Sequence, residues 1–247
     1  EDYLWYSTGG SGNYTDLQNR YLGEGTLQAR YIRGSFNDKP FTLGKYEHTR
    51  IRTAIAELSA NGGAPMGFYT RFENPAAREV IVRYYQFLKK FDEVYRGNRS
   101  HAEAVLLFPR RAVHEGDLAP MQAFRELGAK LLDEHVLFDV LPDDISSPGK
   151  LATYRRVFTT DDAGGNLHLN KSSFSQFDAP YTVRVSASRP AKGKDVAIHF
   201  VNYNRQEPPR GDNGQPSTGG GITDEKPLAV KNIHTNFILP VGMAVKT

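Results

Sequence analysis

The sequence predicts an α/β protein that ends in an all-β tail, and three observations support this prediction. Residues 1–97 alternate short apolar runs with amphipathic segments, and residues 98–165 repeat the alternation on a smaller scale. Residues 166–247 change to the period-two alternation of half-buried strands. Strands separated by helices pair in parallel, whereas strands joined by a tight turn pair antiparallel. We therefore predict three segments in this order.

The pattern of the first segment, residues 1–97, predicts three β/α units. Strands are expected at 2–6, 40–46 and 64–69, and helices at 15–34, 49–63 and 74–95. The second helix has the clearest pattern, because apolar residues recur on one face and Asn-Gly-Gly follows them. Gly23 and Gly25 weaken the first helix.

The second and third segments follow a polar stretch at 96–100, where we place a domain boundary. The second segment predicts strands at 102–109, 136–142 and 154–160 and a helix at 118–135. In the third segment, strands are expected at 181–190, 195–204 and within 227–247, the first two joined by the turn AKGK. This tail is therefore predicted to form a small antiparallel β-sandwich.

Composition excludes several functions. Hydrophobic residues make up 39% of the chain, which is enough for packed cores. The net charge of +3 is small and spread out, so no nucleic-acid partner is expected. The absence of cysteine excludes disulfides and thiolate metal sites, and neither HExxH nor GxGxxG occurs, so no metal or other cofactor is expected. No apolar stretch approaches the roughly 18 residues that span a bilayer, so a soluble chain without a membrane partner is predicted.

Aromatic and polar residues gather where the first three predicted strands end. The carboxyl ends of parallel strands form the ligand-binding side of β/α folds. Aromatic faces stack on sugar C–H groups, while polar groups bind hydroxyls, so a carbohydrate cleft is predicted. The substrate-binding candidates are Trp5, Tyr6, Tyr46, His48, Arg50, Tyr69 and Arg71.

Glu47 is the candidate catalytic residue, and two interpretations of it remain open. A glutamate after a strand is often the first acid of the next helix, here with Thr49 as a cap. Alternatively it is a catalytic carboxylate, but glycoside cleavage needs two of these, about 5–10 Å apart. No second acid ends a predicted strand.

Three stretches carry a resemblance to a known family. They are DKPFTLGKYEHTRIRTAIAELSANGGAPMGFYTRF, HAEAVLLFPRRAVHEGD and FDVLPDD. Together they resemble bacterial glycoside hydrolases related to the trimeric β-galactosidases. The resemblance implies three domains. Residues 1–97 would form the last three β/α units of a (β/α)8 barrel. Residues 98–165 would form a short flavodoxin-like or amidotransferase-like α/β domain, called the trimerisation domain, and residues 166–247 a β-sandwich.

The resemblance also implies a function. PFTLGKY is similar to the seventh barrel strand of that family, which makes Glu47 the nucleophile of a retaining β-galactosidase-like enzyme. The family's acid/base follows the fourth strand, so we expect this chain to be an incomplete C-terminal part that is inactive alone. A homo-oligomer, such as a trimer, is implied as well. A bacterial origin is implied, but the compartment stays open between periplasm, exterior and cytoplasm.

Two other interpretations compete with this one. The chain could be a non-catalytic carbohydrate-binding or assembly protein, derived from such a hydrolase, that kept the aromatic residues and lost the chemistry. It could also be an unrelated three-layer α/β protein, in which residues 1–97 close their own sheet.

Overall fold

The computed structural model describes residues 4–7, 15–20, 22–44, 51–65, 75–164, 169–207, 210, 212, 226–240 and 243. The elements of the first hundred residues are β1 (Leu4–Ser7), α1 (Glu24–Ser35), β2 (Phe41–Gly44), α2 (Ile51–Ala60), β3 (Ala64–Pro65), α3 (Pro75–Lys90), α4 (Asp92–Tyr95) and β4 (Arg99–Ser100).

The remaining elements contain more strand than helix. They are β5 (Ala104–Phe108), α5 (Arg110–His114), α6 (Ala119–Asp133), β6 (Phe138–Pro142), α7 (Pro148–Leu151), β7 (Arg156–Phe158), β8 (Gln176–Asp178), β9 (Val183–Arg189), β10 (Ala197–Asn202), β11 (Arg205–Gln206), β12 (Lys226–Pro227) and β13 (His234–Asn236). Short 3₁₀ turns cover Thr160–Gly164 and Lys171–Ser173.

The first sheet has the order β1–β2–β3, and all its strands are parallel. Phe41 and Leu43 of β2 are buried against Ala29 and Ile32 of α1 and Leu58 of α2. A helix lies in each crossover, as parallel pairing requires. The predicted succession of parallel strands and helices is confirmed for this part of the chain. Within the described residues, the sheet does not close into a barrel.

The helix predicted over 15–34 is shorter than expected. α1 begins at Glu24, and Gly23 before it has a φ of 96°. This left-handed conformation is available to glycine at low cost, and it interrupts a right-handed helix. Leu17, whose spacing with Leu27 suggested a longer helix, is buried with Leu22 in a separate apolar cluster instead.

The other predicted helices are present with shifted ends. The helices predicted at 49–63 and 118–135 are confirmed as α2 and α6, and the one predicted at 74–95 is divided at Phe91 into α3 and α4. Within the described ranges, none of the helices combines the length and apolar character that crossing a bilayer requires.

The second sheet has the order β6–β5–β7 and is also parallel. α6 packs on it, and so does α1 from the first segment, through Leu27. The two helices approach closely at Gly128, because a Cβ there would lie 2.8 Å from a methyl carbon of Leu27. Gly34 of α1 lies against β6, where a Cβ would overlap the carbonyl oxygen of Val140. α1 therefore belongs to the cores of both sheets.

The tail contains the predicted hairpin. β9 and β10 pair antiparallel, with Val183 opposite Asn202, which confirms the interpretation of AKGK as a turn. The other edge of β9 pairs with β4, which lies in the polar stretch taken as a domain boundary. Asn98 in that stretch is buried. The end of the stretch, Arg99–Ser100, therefore belongs to the tail sheet, and the domain limits themselves stay a prediction.

The rest of the tail consists of short strand pairs. β8 pairs with β13, and β11 pairs with β12. Phe177 of β8 shares an apolar cluster with Val183 and Val185 of β9 and with Leu137. β8 and β9 thus share one small apolar core, while the complete sandwich stays a prediction.

Acid should destabilise the protein through His199 on β10. Its Nε2 atom lies 2.8 Å from the hydroxyl oxygen of Ser188. Burial, followed by the nearby Arg33 guanidinium, lowers the pKa of His199 from 6.5 to about 4. The unfolded chain therefore binds this proton first as the pH falls, and we expect the free energy of unfolding to drop by on the order of 2 kcal/mol between pH 6.5 and 4.

Urea unfolding at pH 7 and pH 4.5 measures this effect. Burial also lowers the pKa of His101 and His135, so these residues act in the same direction. The His199→Gln variant should therefore lose less stability than the wild type over this interval, although its free energy of unfolding should still fall as the pH falls. A variant whose free energy of unfolding falls as steeply as that of the wild type would contradict the assignment to His199.

Candidate functional site

The three parallel strands of the first sheet end at the same edge. Ser7 lies opposite Gly44 in the β1–β2 register, and Pro65 lies opposite Leu43 in the β2–β3 register. The chain therefore leaves all three strands on one side of the sheet, where parallel β/α folds bind their ligands. We call this side, defined by Ser7, Gly44 and Pro65, the carboxyl edge.

The predicted site residues belong to the strands and segments at this edge. Trp5 and Tyr6 lie on β1, opposite Thr42 and Leu43. The others lie outside the described residues: Tyr46, Glu47, His48, Arg50, Tyr69 and Arg71. Their mutual placement stays a prediction. What the structure adds is that 45–50 and 66–74, which hold these six, follow neighbouring strands.

The connection from β1 to α1 is fastened to the tail. Arg205 donates hydrogen bonds to the carbonyl and hydroxyl oxygens of Thr15, at 2.9 and 2.7 Å. The Tyr181 hydroxyl donates to the carbonyl oxygen of Leu17 at 2.8 Å. These bonds join residues far apart in sequence, so the tail holds the described part of this connection in place.

Asp16 is an acid in this connection that the sequence did not single out. Burial alone would raise its pKa, but hydrogen bonds from Asn19 and Arg210 outweigh burial and hold the pKa below its usual value. Arg210 contacts both carboxylate oxygens, at 3.1 and 3.0 Å. A carboxylate held ionised in this way cannot donate a proton at neutral pH. Asp16 is therefore a structural residue and does not supply a general acid.

A buried arginine holds the first sheet's helices to the tail. Arg30 donates to Asn61 Oδ1 at 3.0 Å and to the carbonyl oxygen of Val185 at 3.2 Å, and its guanidinium lies 4.4 Å from the ring centre of Phe138. Burial lowers its pKa to about 10, and the carboxylates of Asp139 and Glu57 oppose this shift. Arg30 therefore stays charged at neutral pH and links four parts of the fold.

The acid that faces this arginine is also structural. Glu57 on α2 is buried and accepts a hydrogen bond of 2.8 Å from the Thr26 hydroxyl. Burial, with the Glu57 carboxylate beside it, raises the pKa of Tyr203 well above its usual value. This cluster lies between α1, α2 and the tail. In the sequence, this cluster is indicated only by Glu57, a charged residue among the apolar residues of α2. Such a residue is normally interpreted as exposed to solvent.

Metal binding has no support in the described part of the chain. There, no three side chains of histidine, aspartate or glutamate come together in a way that could hold a metal ion. The carboxylates of Asp16 and Glu57 are each committed to hydrogen bonds within the fold.

Comparison with known proteins identifies one distant structural neighbour. No protein-family model matches the sequence, and no curated protein matches it either. Among solved structures, the chain is similar to alpha-L-fucosidase isoenzyme 2 from Paenibacillus thiaminolyticus, with 15% identity and a TM-score of 0.43. The match covers 90% of this chain and 43% of that one, so this chain spans less than half of its neighbour's length. A likeness of this size assigns neither a family nor an activity.

Proposed function

We propose that this chain carries the last three β/α units of a barrel glycoside hydrolase, followed by its amidotransferase-like and β-sandwich domains. In this proposal it contributes Glu47 as the nucleophile of a retaining enzyme for β-linked galactosides. The side chains proposed to bind the sugar are Trp5, Tyr6, Tyr46, His48, Arg50, Tyr69 and Arg71. A homo-oligomer such as a trimer belongs to the same proposal.

One observation supports this proposal most strongly, namely the parallel, in-line ends of β1, β2 and β3. Glu47 comes three residues after Gly44, which ends the central strand of the three. A group after the middle strand is flanked by the segments that follow both neighbours. Tyr69 and Arg71 follow β3 on one side, and Trp5 and Tyr6 lie within β1 on the other. This is the order that a carboxylate between sugar-binding side chains would need.

The proposed chemistry is half of a retaining mechanism. The Glu47 carboxylate would attack the anomeric carbon, the bond to the leaving oxygen would break, and that oxygen would take a proton from a general acid. Asp16, a buried acid in the connection from β1 to α1, is held ionised by Asn19 and Arg210 and cannot give that proton. We therefore expect the first step only with a leaving group that needs no proton.

An activated substrate tests this expectation. With 2,4-dinitrophenyl β-D-galactoside, the purified chain should release a burst of about one dinitrophenolate per chain and then almost stop, because a second step also needs acid/base assistance. Methyl β-D-galactoside should not be cleaved at a measurable rate. Stopped-flow absorbance measures the burst.

Two variants decide the origin of the burst. Glu47→Gln should abolish it, and Glu126→Gln, the same substitution at an exposed position of α6, should leave it intact. A burst that survives Glu47→Gln would refute the nucleophile assignment. Galactoside binding without any burst, equal in wild type and Glu47→Gln, would favour the non-catalytic carbohydrate-binding alternative. No binding would favour the unrelated α/β protein.

A further inference from the structure

A pocket lies at the end of the first sheet opposite the carboxyl edge. It has a volume of about 570 Å³ and is formed where β2 and β3 begin, beside the C-terminal half of α3 and the short helix α4. This volume lies within the usual range of small-molecule sites. Because parallel strands begin at one edge and end at the other, the pocket is separate from the carboxyl edge.

The pocket carries an excess of positive charge. Both arginines that line the pocket are paired with acids that also line it. Arg33 Nε lies 2.6 Å from Asp38, and Arg96 Nε lies 2.9 Å from Asp92. Two lysines also line it, Lys39 before β2 and Lys89 near the end of α3. Neither lysine forms an ion pair with any residue that the structure describes. Among the described residues, the charges that line the pocket therefore sum to an excess of two positive charges.

The walls between these charges are largely aromatic and apolar. Tyr85, Leu88 and Tyr95 line one side, and Phe41 lines the other. Burial raises the pKa of Tyr85 and of Tyr95, so both side chains are neutral at neutral pH. Tyrosine rings pack well against the C–H face of a six-membered ring.

The pocket also contains a buried polar group, with which a ligand would have to form a hydrogen bond. Ser59 lines the same pocket and is 5% exposed. Its hydroxyl oxygen has no hydrogen-bond partner among the residues described, and a buried hydroxyl of this kind is costly to leave unpaired.

We propose that this pocket binds a six-membered ring compound with an acidic substituent, of which a uronic acid or a sulfated sugar is the fitting class. The ring would pack against Tyr85 and Tyr95, and the carboxylate or sulfate would lie between Lys39 and Lys89. Sugar hydroxyls would meet the tyrosine and serine hydroxyls. This inference does not depend on Glu47 acting as a nucleophile.

A matched pair of ligands tests the proposal on the full 247-residue chain. Methyl β-D-glucuronide and methyl β-D-glucoside differ at one position only, where the glucuronide has a carboxylate and the glucoside has a hydroxymethyl group. Isothermal titration should show that the glucuronide binds about tenfold more tightly or better, with an affinity that falls as salt is added. Galactose 6-sulfate, as a second arm, separates recognition of sulfate from recognition of carboxylate. Equal affinity for glucuronide and glucoside, or no binding of either acidic sugar, would overturn the proposal.

Two double variants locate the site. Lys39→Ala with Lys89→Ala should weaken glucuronide binding about tenfold. Lys192→Ala with Lys194→Ala, which removes the same charge from the exposed turn between β9 and β10, should leave binding unchanged. Equal weakening by both pairs would show a general charge effect and refute the site. Glu47→Gln should keep full glucuronide affinity, so failure here is distinguishable from failure of the glycosidase proposal.

Discussion

Replacing Arg30 with alanine is expected to lower the free energy of unfolding by about 4 kcal/mol. The substitution removes both hydrogen bonds of the guanidinium, to Asn61 and to the carbonyl oxygen of Val185, and the stacking on Phe138. It also leaves the carboxylate of Glu57 buried without its nearby positive charge. Urea unfolding followed by circular dichroism measures the loss.

Further variants separate the charge effect from the packing effect. Arg30→Met refills the volume, so it should recover part of the loss while the two acceptors stay unpaired. Adding Glu57→Gln to Arg30→Ala should cost less than the sum of the two single changes, because the uncompensated charge is then gone. Arg96→Ala is the matched control, since its side chain is 80% exposed and its ion pair with Asp92 should contribute at most about 0.5 kcal/mol. An Arg30→Ala protein as stable as Arg96→Ala would contradict this account of the buried cluster.

Replacing Gly34 with alanine should destabilise the protein by about 3 kcal/mol. A methyl group there would overlap the carbonyl oxygen of Val140, which belongs to the backbone of β6 and cannot rotate away as a side chain could. Alanine's better helix propensity offsets only about 1 kcal/mol of that cost. The packing of α1 on the second sheet should therefore loosen, and thermal unfolding should start at a lower temperature.

Gly149 in α7 provides the same substitution without the clash. A Cβ there meets nothing within 4 Å, so Gly149→Ala should be neutral or stabilise the protein by up to about 0.5 kcal/mol. If Gly34→Ala were also neutral, α1 could not lie on β6 as described.

Elements with local patterns were predictable from the sequence. The hairpin of β9 and β10 alternates apolar and polar residues around a turn, and α6 repeats apolar residues on one face, so both are specified by neighbours in the chain. The parallel sheet of β1, β2 and β3 was predictable for a related reason, because helices separate its strands.

The position of α1 between two sheets was not predictable. Leu27 faces the second sheet, while Ala29 and Ile32 face the first, so the helix has two buried sides. A single apolar stripe cannot encode this arrangement, and the charged residue between the two sides looks like a solvent position in the sequence. Arg30 becomes buried only because Asn61 and Val185, distant in the chain, supply acceptors.

The candidate site was predictable to the extent that strand order determines it. The pattern of strands and helices predicted that Glu47 follows the second of three parallel strands, and the structure adds that this strand is the central one. Asp16, by contrast, escaped notice because its partner Arg210 lies at the other end of the sequence. Its pKa, and therefore its unsuitability as an acid, depends on that long-range contact.

Covalent trapping tests the central claim most directly. In 2,4-dinitrophenyl 2-deoxy-2-fluoro-β-D-galactoside, the fluorine slows both steps, while the leaving group departs without a proton and restores the first step. The chain should therefore gain the mass of one fluorogalactosyl group, and peptide mapping should place that group on Glu47. A chain that stays unlabelled, or that carries the label on another residue, would contradict the proposal.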